Sequence, residues 1–242
     1  MCGRTALTAS PAELRETFGL DETPSLTPRY NVPPSRSLDV LRVVRGSTGR
    51  KLEALRWGLV PTWAKDPKIG NKLTLARAET VATTGAFRDA FRWRRCLVAV
   101  DGFYEWQSQP SQGKHATGSR RGKPSSPFFV RRADRRPFAL AGLWSRWTSA
   151  DGEVTESCAI VTQAAQPPLD AIHDRMPLVL EHDAWARWLD PEVTEAADLA
   201  PLLVPRSPDL IAYAVSDHAN DPRHDDPSCL EPAPPVAQQS LF

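Results

Sequence analysis

The sequence predicts an α+β fold: a largely antiparallel, curled and barrel-like β-sheet with a few peripheral helices. Segments with strand patterning outnumber those with helical patterning along the 242 residues. Neighbouring strand segments are joined by turn residues rather than crossover helices, which favours antiparallel pairing. With 41% hydrophobic residues the chain can bury a sizeable core. We expect one domain over 1–231, with 107–126 as a mobile surface insertion and Pro-rich 232–242 as a disordered tail.

The N-terminal third combines one helix with several extended runs. Residues 10–13 (Ser-Pro-Ala-Glu) have the spacing of a capping box and predict a short helix that ends at Gly19. Residues 30–34 should be extended, since a residue that precedes proline avoids the helical region. Two β-rich runs, 39–44 and 52–59, flank a turn that contains glycine and serine, which predicts a hairpin.

The middle of the chain alternates helical and strand patterns. Helical spacing predicts helices over 75–83 and 86–93. The apolar run over 95–106 predicts one strong strand. The remaining expected strands are 127–131, 137–147, 156–162, 177–180 and 210–216, and the remaining expected helices are 183–189 and 194–203.

Composition excludes several classes of protein. The net charge is only +1, so the charge balance alone does not indicate a nucleic-acid binder, although arginines cluster around 92–95 and 131–136. No apolar run reaches the ~20 residues of a membrane span and no signal sequence opens the chain, so we expect a soluble, cytoplasmic protein. The four cysteines are far apart and the histidines show no ligand spacing, so the sequence predicts no metal and no cofactor.

The most informative stretch is Met1-Cys2. Removal of the initiator methionine before a small residue would leave Cys2 with a free α-amine and a thiol. The α-amine has a pKa of about 7.7–8.0 in unstructured peptides, so part of it is neutral at pH 7 and can attack carbonyls. The thiol could then close on the imine carbon to give a thiazolidine. Such a terminus could trap an aldehyde, or it could act as an N-terminal thiol hydrolase.

Two further residues are candidates for acid–base work. Glu105 follows an apolar run among aromatic residues, where desolvation of a carboxyl suits proton transfer. His173 lies between apolar and charged residues just before a proline, and an imidazole can shuttle protons near neutral pH.

Seven blocks of sequence, taken together and in order, form a specific pattern: Met1–Arg4, Arg29–Pro33, Arg56–Pro61, Ala76–Thr80, Asp101–Trp106, Ala141–Trp144 and Ile172–Pro177. This pattern resembles one family, the SOS-response-associated peptidases (SRAP), also called abasic-site processing proteins. The resemblance extends from residue 2 to about 231 and implies the SRAP fold.

The resemblance also implies a function in the DNA damage response. Cys2 would attack the ring-opened aldehyde of an abasic (AP) site in single-stranded DNA and form a covalent thiazolidine crosslink that shields the lesion. Glu105 matches the family's acid–base glutamate, and His173 matches the histidine that assists ring opening, proton transfer and crosslink reversal. The family is also credited with thiol peptidase activity, chiefly self-removal of the N-terminal residue, and with AP lyase activity.

Further positions match residues that the family places around DNA. They are Arg4, Asn31, Trp63, Arg77, Thr162 and Arg175. The three arginines match residues that hold backbone phosphates, the tryptophan matches an aromatic wedge, and Asn31 and Thr162 lie in blocks that line the cleft. We also expect a monomer that is associated with the nucleoid.

One position departs from the family pattern. The family usually has asparagine where this chain has Leu75, and leucine can neither donate nor accept a hydrogen bond. We therefore expect slower or weaker crosslinking than in a typical member, unless Thr74 or Asn71 substitutes.

Other interpretations stay open at this stage. The last five residues resemble short peptides that bind the bacterial sliding clamp, with Leu241 and Phe242 in an apolar groove and Gln238 at its rim; a frayed tail is the alternative. A class II glutamine amidotransferase also begins Met-Cys-Gly. The remaining alternatives are a non-covalent single-stranded DNA-binding module and, more weakly, a protease that acts on other proteins.

Overall fold

The computed structural model describes residues 3–43, 50–107, 126–206 and 209–234. It confirms the predicted fold class. A closed five-stranded barrel stands beside a five-stranded antiparallel sheet, and short helices lie at the periphery. No helix within the described ranges combines the length and the apolar character needed to cross a bilayer.

The strands are β1 (Arg4–Leu7), β2 (Arg29–Val32), β3 (Ser37–Arg42), β4 (Leu52–Trp57), β5 (Leu75–Arg77), β6 (Arg95–Val100), β7 (Gly102–Gln107), β8 (Ser126–Arg132), β9 (Phe138–Thr148), β10 (Val154–Ala164), β11 (Arg175–Pro177), β12 (Val179–Leu180) and β13 (Leu210–Ala214). The α-helices are α1 (Pro11–Phe18), α2 (Arg88–Trp93), α3 (His182–Leu189) and α4 (Ala196–Leu199). Single 3₁₀ turns cover Pro67–Lys72, Leu169–Ala171, Ala200–Leu203, Asp217–Asn220 and Pro227–Leu230.

The barrel closes because β10 has neighbours on both sides. The strand order is β10-β4-β3-β6-β9, and β9 pairs back with β10 along seven residue pairs. The β10–β4 pairing is parallel and the other barrel pairings are antiparallel. Strands β5 and β11 extend the pairing of β10 beyond the barrel. The second sheet has the order β13-β8-β7-β1-β2.

Alternate residues of the barrel strands pack into two hydrophobic clusters. Cys96 and Val98 of β6 pack in a cluster with Phe103 of the second sheet. Leu97 and Ala99, which point to the opposite face, pack in a cluster with residues of α1, α2 and α3. The strands are therefore apolar on both faces, which explains why barrel strands such as β6 show no alternation in the sequence.

The helix α1 forms as predicted. The hydroxyl of Ser10 accepts a hydrogen bond from the Glu13 backbone N–H, and the Glu13 carboxylate accepts one from the Ser10 N–H at 2.8 Å. Gly19 ends the helix with a φ of 59°, a left-handed conformation that glycine adopts readily.

The helix predicted over 75–83 is wrong. Leu75–Arg77 is the strand β5, parallel to β10, and turns follow it. Its residues alternate in the manner of a strand, since Leu75 packs against the cluster of Phe103 and Ala76 packs against the cluster under the helices. Pairing with β10 therefore overrides a local pattern that resembles a helix.

The single strand predicted over 95–106 is also wrong, because β6 and β7 belong to different sheets. The break falls at Asp101, whose carboxylate accepts hydrogen bonds from the Thr8 N–H and hydroxyl and from the Ala9 N–H. Gly102 follows directly. A Cβ added there would lie 2.4 Å from the Val130 carbonyl oxygen, so glycine allows β7 to approach β8 closely.

Several predicted segments lie outside the described residues. These are most of the 107–126 insertion, the turn of the 39–59 hairpin, and Gln238, Leu241 and Phe242 of the clamp-like motif. Pro232 and Ala233 were expected in a disordered tail, yet Pro232 forms a β-bridge with Val215, and the Ala233 N–H donates to the Ala214 carbonyl at 2.9 Å. Ordered chain thus extends beyond residue 231.

Candidate functional site

Glu105 lies in the middle of β7 with no solvent exposure. Strand β1 places Arg4 opposite Tyr104, so Arg4 and Glu105 point to opposite faces of the second sheet. The next residue on the face of Glu105 is Gln107, whose side-chain amide donates to the Ala171 carbonyl at 3.0 Å. This bond joins the strand of Glu105 to the segment that leads into His173.

His173 follows the 3₁₀ turn at Leu169–Ala171, and its side chain is 23% exposed. Its Nδ1 accepts a hydrogen bond from the Arg175 N–H at 3.0 Å and lies 2.8 Å from the Asp174 carboxylate. Burial lowers the pKa of His173, and the charge of Asp174 opposes this effect. The imidazole is therefore chiefly neutral at pH 7.

Arg175 is held by two residues, Glu79 and Thr162. Its two terminal nitrogens form a bidentate pair with the Glu79 carboxylate at 2.6 and 3.0 Å. One of them also donates to the carbonyl and hydroxyl oxygens of Thr162, at 2.7 and 3.1 Å. These hydrogen bonds from Arg175 lower the pKa of Glu79. We call His173, Arg175, Thr162 and Glu79 the Arg175 cluster.

Strand register explains how distant parts of the chain meet in the Arg175 cluster. Parallel pairing places Arg77 of β5 beside Thr162 of β10, and antiparallel pairing places Arg175 of β11 beside Ala164. Arg77 is exposed, whereas Thr162 is buried. Thr162 was expected to line the cleft, but it is buried, and its carbonyl and hydroxyl oxygens accept hydrogen bonds from Arg175.

Leu75 lies beside Ile160, on the same face of β5 as Arg77. It is partly buried and packs against the cluster of Phe103. The side-chain oxygen of Asn71 is already used, because it accepts hydrogen bonds from Arg56 at 2.5 Å and from Ser35 at 3.2 Å. The Thr74 carbonyl accepts from the indole N–H of Trp57 at 2.9 Å.

Arg4 belongs to a second group, the Arg4 cluster, made of Arg4, Asn31, Trp106 and Asn220. Its guanidinium donates to the Asn31 side-chain oxygen at 2.9 Å and to the carbonyls of Ala219 and Asn220 at 3.1 and 3.4 Å. It lies 5.5 Å from the ring centroid of Trp106, whose indole N–H donates to the Asn220 side chain at 2.7 Å. Burial lowers the pKa of Arg4, chiefly by desolvation.

Asn31 was expected to line the cleft, but it has no solvent exposure. Its amide nitrogen lies within hydrogen-bond distance of the carbonyls of Ala219, Asp221 and His224, at 3.0–3.2 Å. Asn31 therefore fixes Arg4 and the C-terminal segment rather than presenting an exposed polar surface.

Trp63 is 57% exposed and lies in a turn after Pro61. Its indole N–H donates to the Gly85 carbonyl at 3.4 Å, which fixes one edge of the ring. An exposed aromatic ring held in this way can stack on a base.

The arginines at 92–95 are less available for binding nucleic acid than their sequence indicates. Arg95 is buried, and it donates to backbone carbonyls near the ends of α2 and α3, including those of Phe91 and Trp188 at 2.7 and 2.6 Å. Burial lowers the pKa of Arg95 to about 10. Arg92 pairs with Glu195 at 2.9 Å. This run chiefly joins helices.

Sequence reasoning missed the residues that hold the predicted arginines and the one that holds the segment before His173. They are Glu79, Trp106, Asn220 and Gln107. The sequence could have indicated Glu79, because an acidic residue two positions after Arg77 can pair with a nearby cation. Nothing in the sequence pairs Asn220 with Arg4. Cys2 lies outside the described residues.

Comparison with known proteins gives one family. The family model described as SOS response associated peptidase (SRAP) matches residues 1–222. The abasic site processing protein YoaM of Bacillus subtilis (strain 168) is 35% identical over 235 residues, which are 96% of this chain and 98% of YoaM. The abasic site processing protein HMCES of Xenopus tropicalis is 28% identical, covering 95% of this chain and 78% of its own. A crystal structure of a protein from Bacteroides thetaiotaomicron matches with a TM-score of 0.79 at 23% identity, covering 96% of this chain and 100% of that chain, which shows the shared fold.

Proposed function

Since this chain belongs to the SRAP family, we propose that it processes abasic sites in single-stranded DNA through a covalent bond to Cys2. The observation that carries the proposal is the family match over residues 1–222, within which Arg77 of β5 and Arg175 of β11 flank β10 and His173 lies two residues before β11. The relatives matched over nearly the whole chain bear the name abasic site processing protein.

The proposed reaction needs no oxidant or cofactor. The neutral α-amine of Cys2 adds to the aldehyde carbon of the ring-opened sugar, and loss of one water gives an imine. The Cys2 thiol then adds to the imine carbon while its proton goes to the imine nitrogen. The product is a five-membered thiazolidine that joins protein and DNA.

Two groups suit the proton transfers of this reaction. Arg4 of β1 pairs with Tyr104 of β7. Glu105 directly follows Tyr104, and Cys2 lies two residues before Arg4. Glu105 would exchange protons with the amine and with the departing hydroxyl. His173, chiefly neutral at pH 7, would take the sugar hydroxyl proton as the ring opens.

The three arginines would hold the DNA backbone around the lesion. Arg77 is exposed, and Arg4 and Arg175 are partly buried and held by hydrogen bonds, so they lose little freedom when they bind phosphate. Asn31 and Thr162 would act by positioning Arg4 and Arg175. The exposed ring of Trp63 would separate the flanking bases.

The first experiment is a denaturing gel of untagged protein with single-stranded DNA that carries one abasic site. We expect an adduct from wild type and none from Cys2→Ala. Mass spectrometry should show the loss of Met1 before reaction and the loss of one water on crosslinking. Intact DNA and an abasic duplex serve as substrate controls.

The outcomes separate the alternatives. Equal DNA retention by wild type and Cys2→Ala on a native gel, with no adduct in either, would support a non-covalent binding module and contradict the crosslink. Release of ammonia from glutamine would instead indicate an amidotransferase. Strand cleavage at the abasic site that depends on Cys2 would reveal the lyase activity that an imine intermediate allows.

A further inference from the structure

Three residues near the C-terminal end of the described chain bring together three kinds of metal-binding atom. They are His218, in the 3₁₀ turn at Asp217–Asn220, and Asp226 and Cys229, which begin and lie within the 3₁₀ turn at Pro227–Leu230. One nitrogen, one oxygen and one sulfur atom from these side chains all lie within 4.8 Å of one another. The His218 Nε2 and the Asp226 Oδ2 are 2.9 Å apart.

We propose that His218, Asp226 and Cys229 form a binding site for a divalent zinc ion, with water as a fourth ligand. Zinc accepts this mixture of imidazole nitrogen, carboxylate oxygen and thiolate sulfur in a tetrahedral arrangement. The carboxylate and the thiolate together neutralise the two charges of the ion. Binding replaces the thiol proton of Cys229, which passes to solvent. It also displaces the proton shared by His218 Nε2 and Asp226 Oδ2, which moves to Nδ1 of the ring or to solvent, and no electron is transferred.

The backbone already holds the three ligands in position. The Asp226 Oδ1 accepts from the Ser228 N–H at 3.0 Å, which leaves Oδ2 directed at His218. The Cys229 N–H donates to the Asp226 carbonyl at 3.0 Å, so the turn brings these two side chains to one side. Their separation by two residues equals that of paired cysteines in zinc knuckles.

The imidazole of His218 is held by a neighbouring ring. His224 stacks on His218 with ring centroids 3.7 Å apart, and the His224 Nδ1 lies 2.8 Å from the His218 carbonyl. Such support reduces the freedom that the ligand would lose on binding a metal. The sequence does not show the usual spacing of two zinc-binding cysteines here, because Asp226 stands where the first cysteine of such a pair would be.

A metal at this position would stiffen the Arg4 cluster. The residues directly after His218 are Ala219 and Asn220, whose carbonyls hold the guanidinium of Arg4. Asn31 also donates to the Ala219 carbonyl. A cross-link between the turns at 217–220 and 227–230 would therefore fix the acceptors on which the position of Arg4 depends.

The test is metal binding by untagged, full-length protein in a Cys2→Ala background. This background is needed because an N-terminal amine and thiol could themselves chelate zinc. Zinc uptake is measured by calorimetry, and cobalt is used as a spectroscopic probe. The three comparison chains carry Cys229→Ser, Asp226→Asn or the control Cys158→Ser. Cys158 is matched to Cys229 because both thiols are fully buried.

We expect one zinc ion per chain and, with cobalt, a thiolate-to-metal charge-transfer band and the visible bands of a four-coordinate ion. Cys229→Ser should abolish the thiolate band and weaken zinc binding about tenfold or more. Asp226→Asn keeps the cap on Ser228 and should weaken binding similarly, which guards against misfolding of the cysteine variant. Cys158→Ser should bind as the background does. Absence of saturable uptake, or equal affinity of the Cys229→Ser and Cys158→Ser chains, would overturn the site and leave only a His–Asp ion pair.

Discussion

The surroundings of His173 favour the neutral imidazole that the proposed proton transfer needs. Burial lowers its pKa, and the Arg175 N–H already occupies Nδ1. An unfolded chain has a histidine pKa near 6.5 and therefore binds more protons than the folded chain just below that pH. Folding stability contributed by this residue is present above pH 6.5 and is lost as the pH falls toward the lower folded pKa.

This gives a prediction that does not depend on catalysis. Urea unfolding at pH 7.5 and 5.5 should show lower stability at pH 5.5 for wild type, and His173→Gln should reduce that difference. NMR titration of His173 should give a midpoint below 6.5. A midpoint above 6.5 would mean that Asp174, rather than burial, dominates the charge state.

Leu75 gives a second prediction at the scale of one side chain. Leu75→Asn should raise the crosslinking rate about tenfold or more, because one hydrogen bond to a charged group contributes roughly 1.5–3 kcal/mol. Leu75→Ala is the control, since it removes the same hydrocarbon without adding a polar group. Equal rates in Leu75→Asn, Leu75→Ala and wild type would show that the reaction does not use this position.

Sequence reasoning was strongest for residues whose chemistry is local. Ser10, Glu13 and Gly19 determine their helix from within ten residues, and the structure confirms them. Asn31 and Thr162 were singled out, but their buried positions could not be foreseen. Burial depends on segments far away in the chain, such as the carbonyls of 219–224.

At the scale of elements, two short strands and the long strand β10 between them carry the Arg175 cluster. Strands β5 and β11 lie on either side of β10 and have three residues each, so side-chain pairs contribute much of what holds them. The Glu79–Arg175 pair joins the turn after β5 to β11 across β10. This pair also occupies the guanidinium that we propose for phosphate binding, so Glu79 should compete with DNA.

Glu79→Gln should therefore tighten non-covalent binding of abasic single-stranded DNA. Removing a unit charge about 4 Å from a phosphate in water is worth roughly 1 kcal/mol, or about fivefold in affinity. Fluorescence anisotropy of the Cys2→Ala protein would measure the change at fixed salt. The matched control is Glu156→Gln, which breaks a similar bidentate pair with Arg42 at 3.1 and 2.8 Å. Weaker binding in Glu79→Gln would show that Glu79 positions Arg175 more than it competes.

The sequence could not predict β5 because three residues give too short a pattern to distinguish a strand from a helix. It also could not divide β6 from β7, since both are apolar and the chain turns only at Asp101. The division depends on hydrogen bonds from Thr8 and Ala9, residues that are more than 90 positions away. The fold class was nevertheless predictable, because it follows from the number of strands and the shortness of their connections.

At the scale of the whole molecule, the second sheet depends on close contact between β7 and β8. Gly102→Ala should lower the free energy of unfolding by about 3 kcal/mol, because the added Cβ would clash with the Val130 carbonyl oxygen. That oxygen belongs to the backbone of β8, which cannot move aside as a flexible side chain could. The control is Gly85→Ala, whose Cβ would have no neighbour within 4 Å. Urea denaturation would measure both, and equal stability of the two variants would contradict the close approach.

The contact between Arg4 and the carbonyls of Ala219 and Asn220 has a consequence for biosynthesis. Some 215 and 216 positions separate the members of these pairs. At about 5–20 residues per second, a ribosome needs about 10–40 s to make the acceptors after it has made the donor. During that interval the nascent chain contains Arg4 but not the carbonyls of Ala219 and Asn220 that will accept its hydrogen bonds. Any early reaction at the N-terminus therefore takes place before the Arg4 guanidinium is held in its folded position.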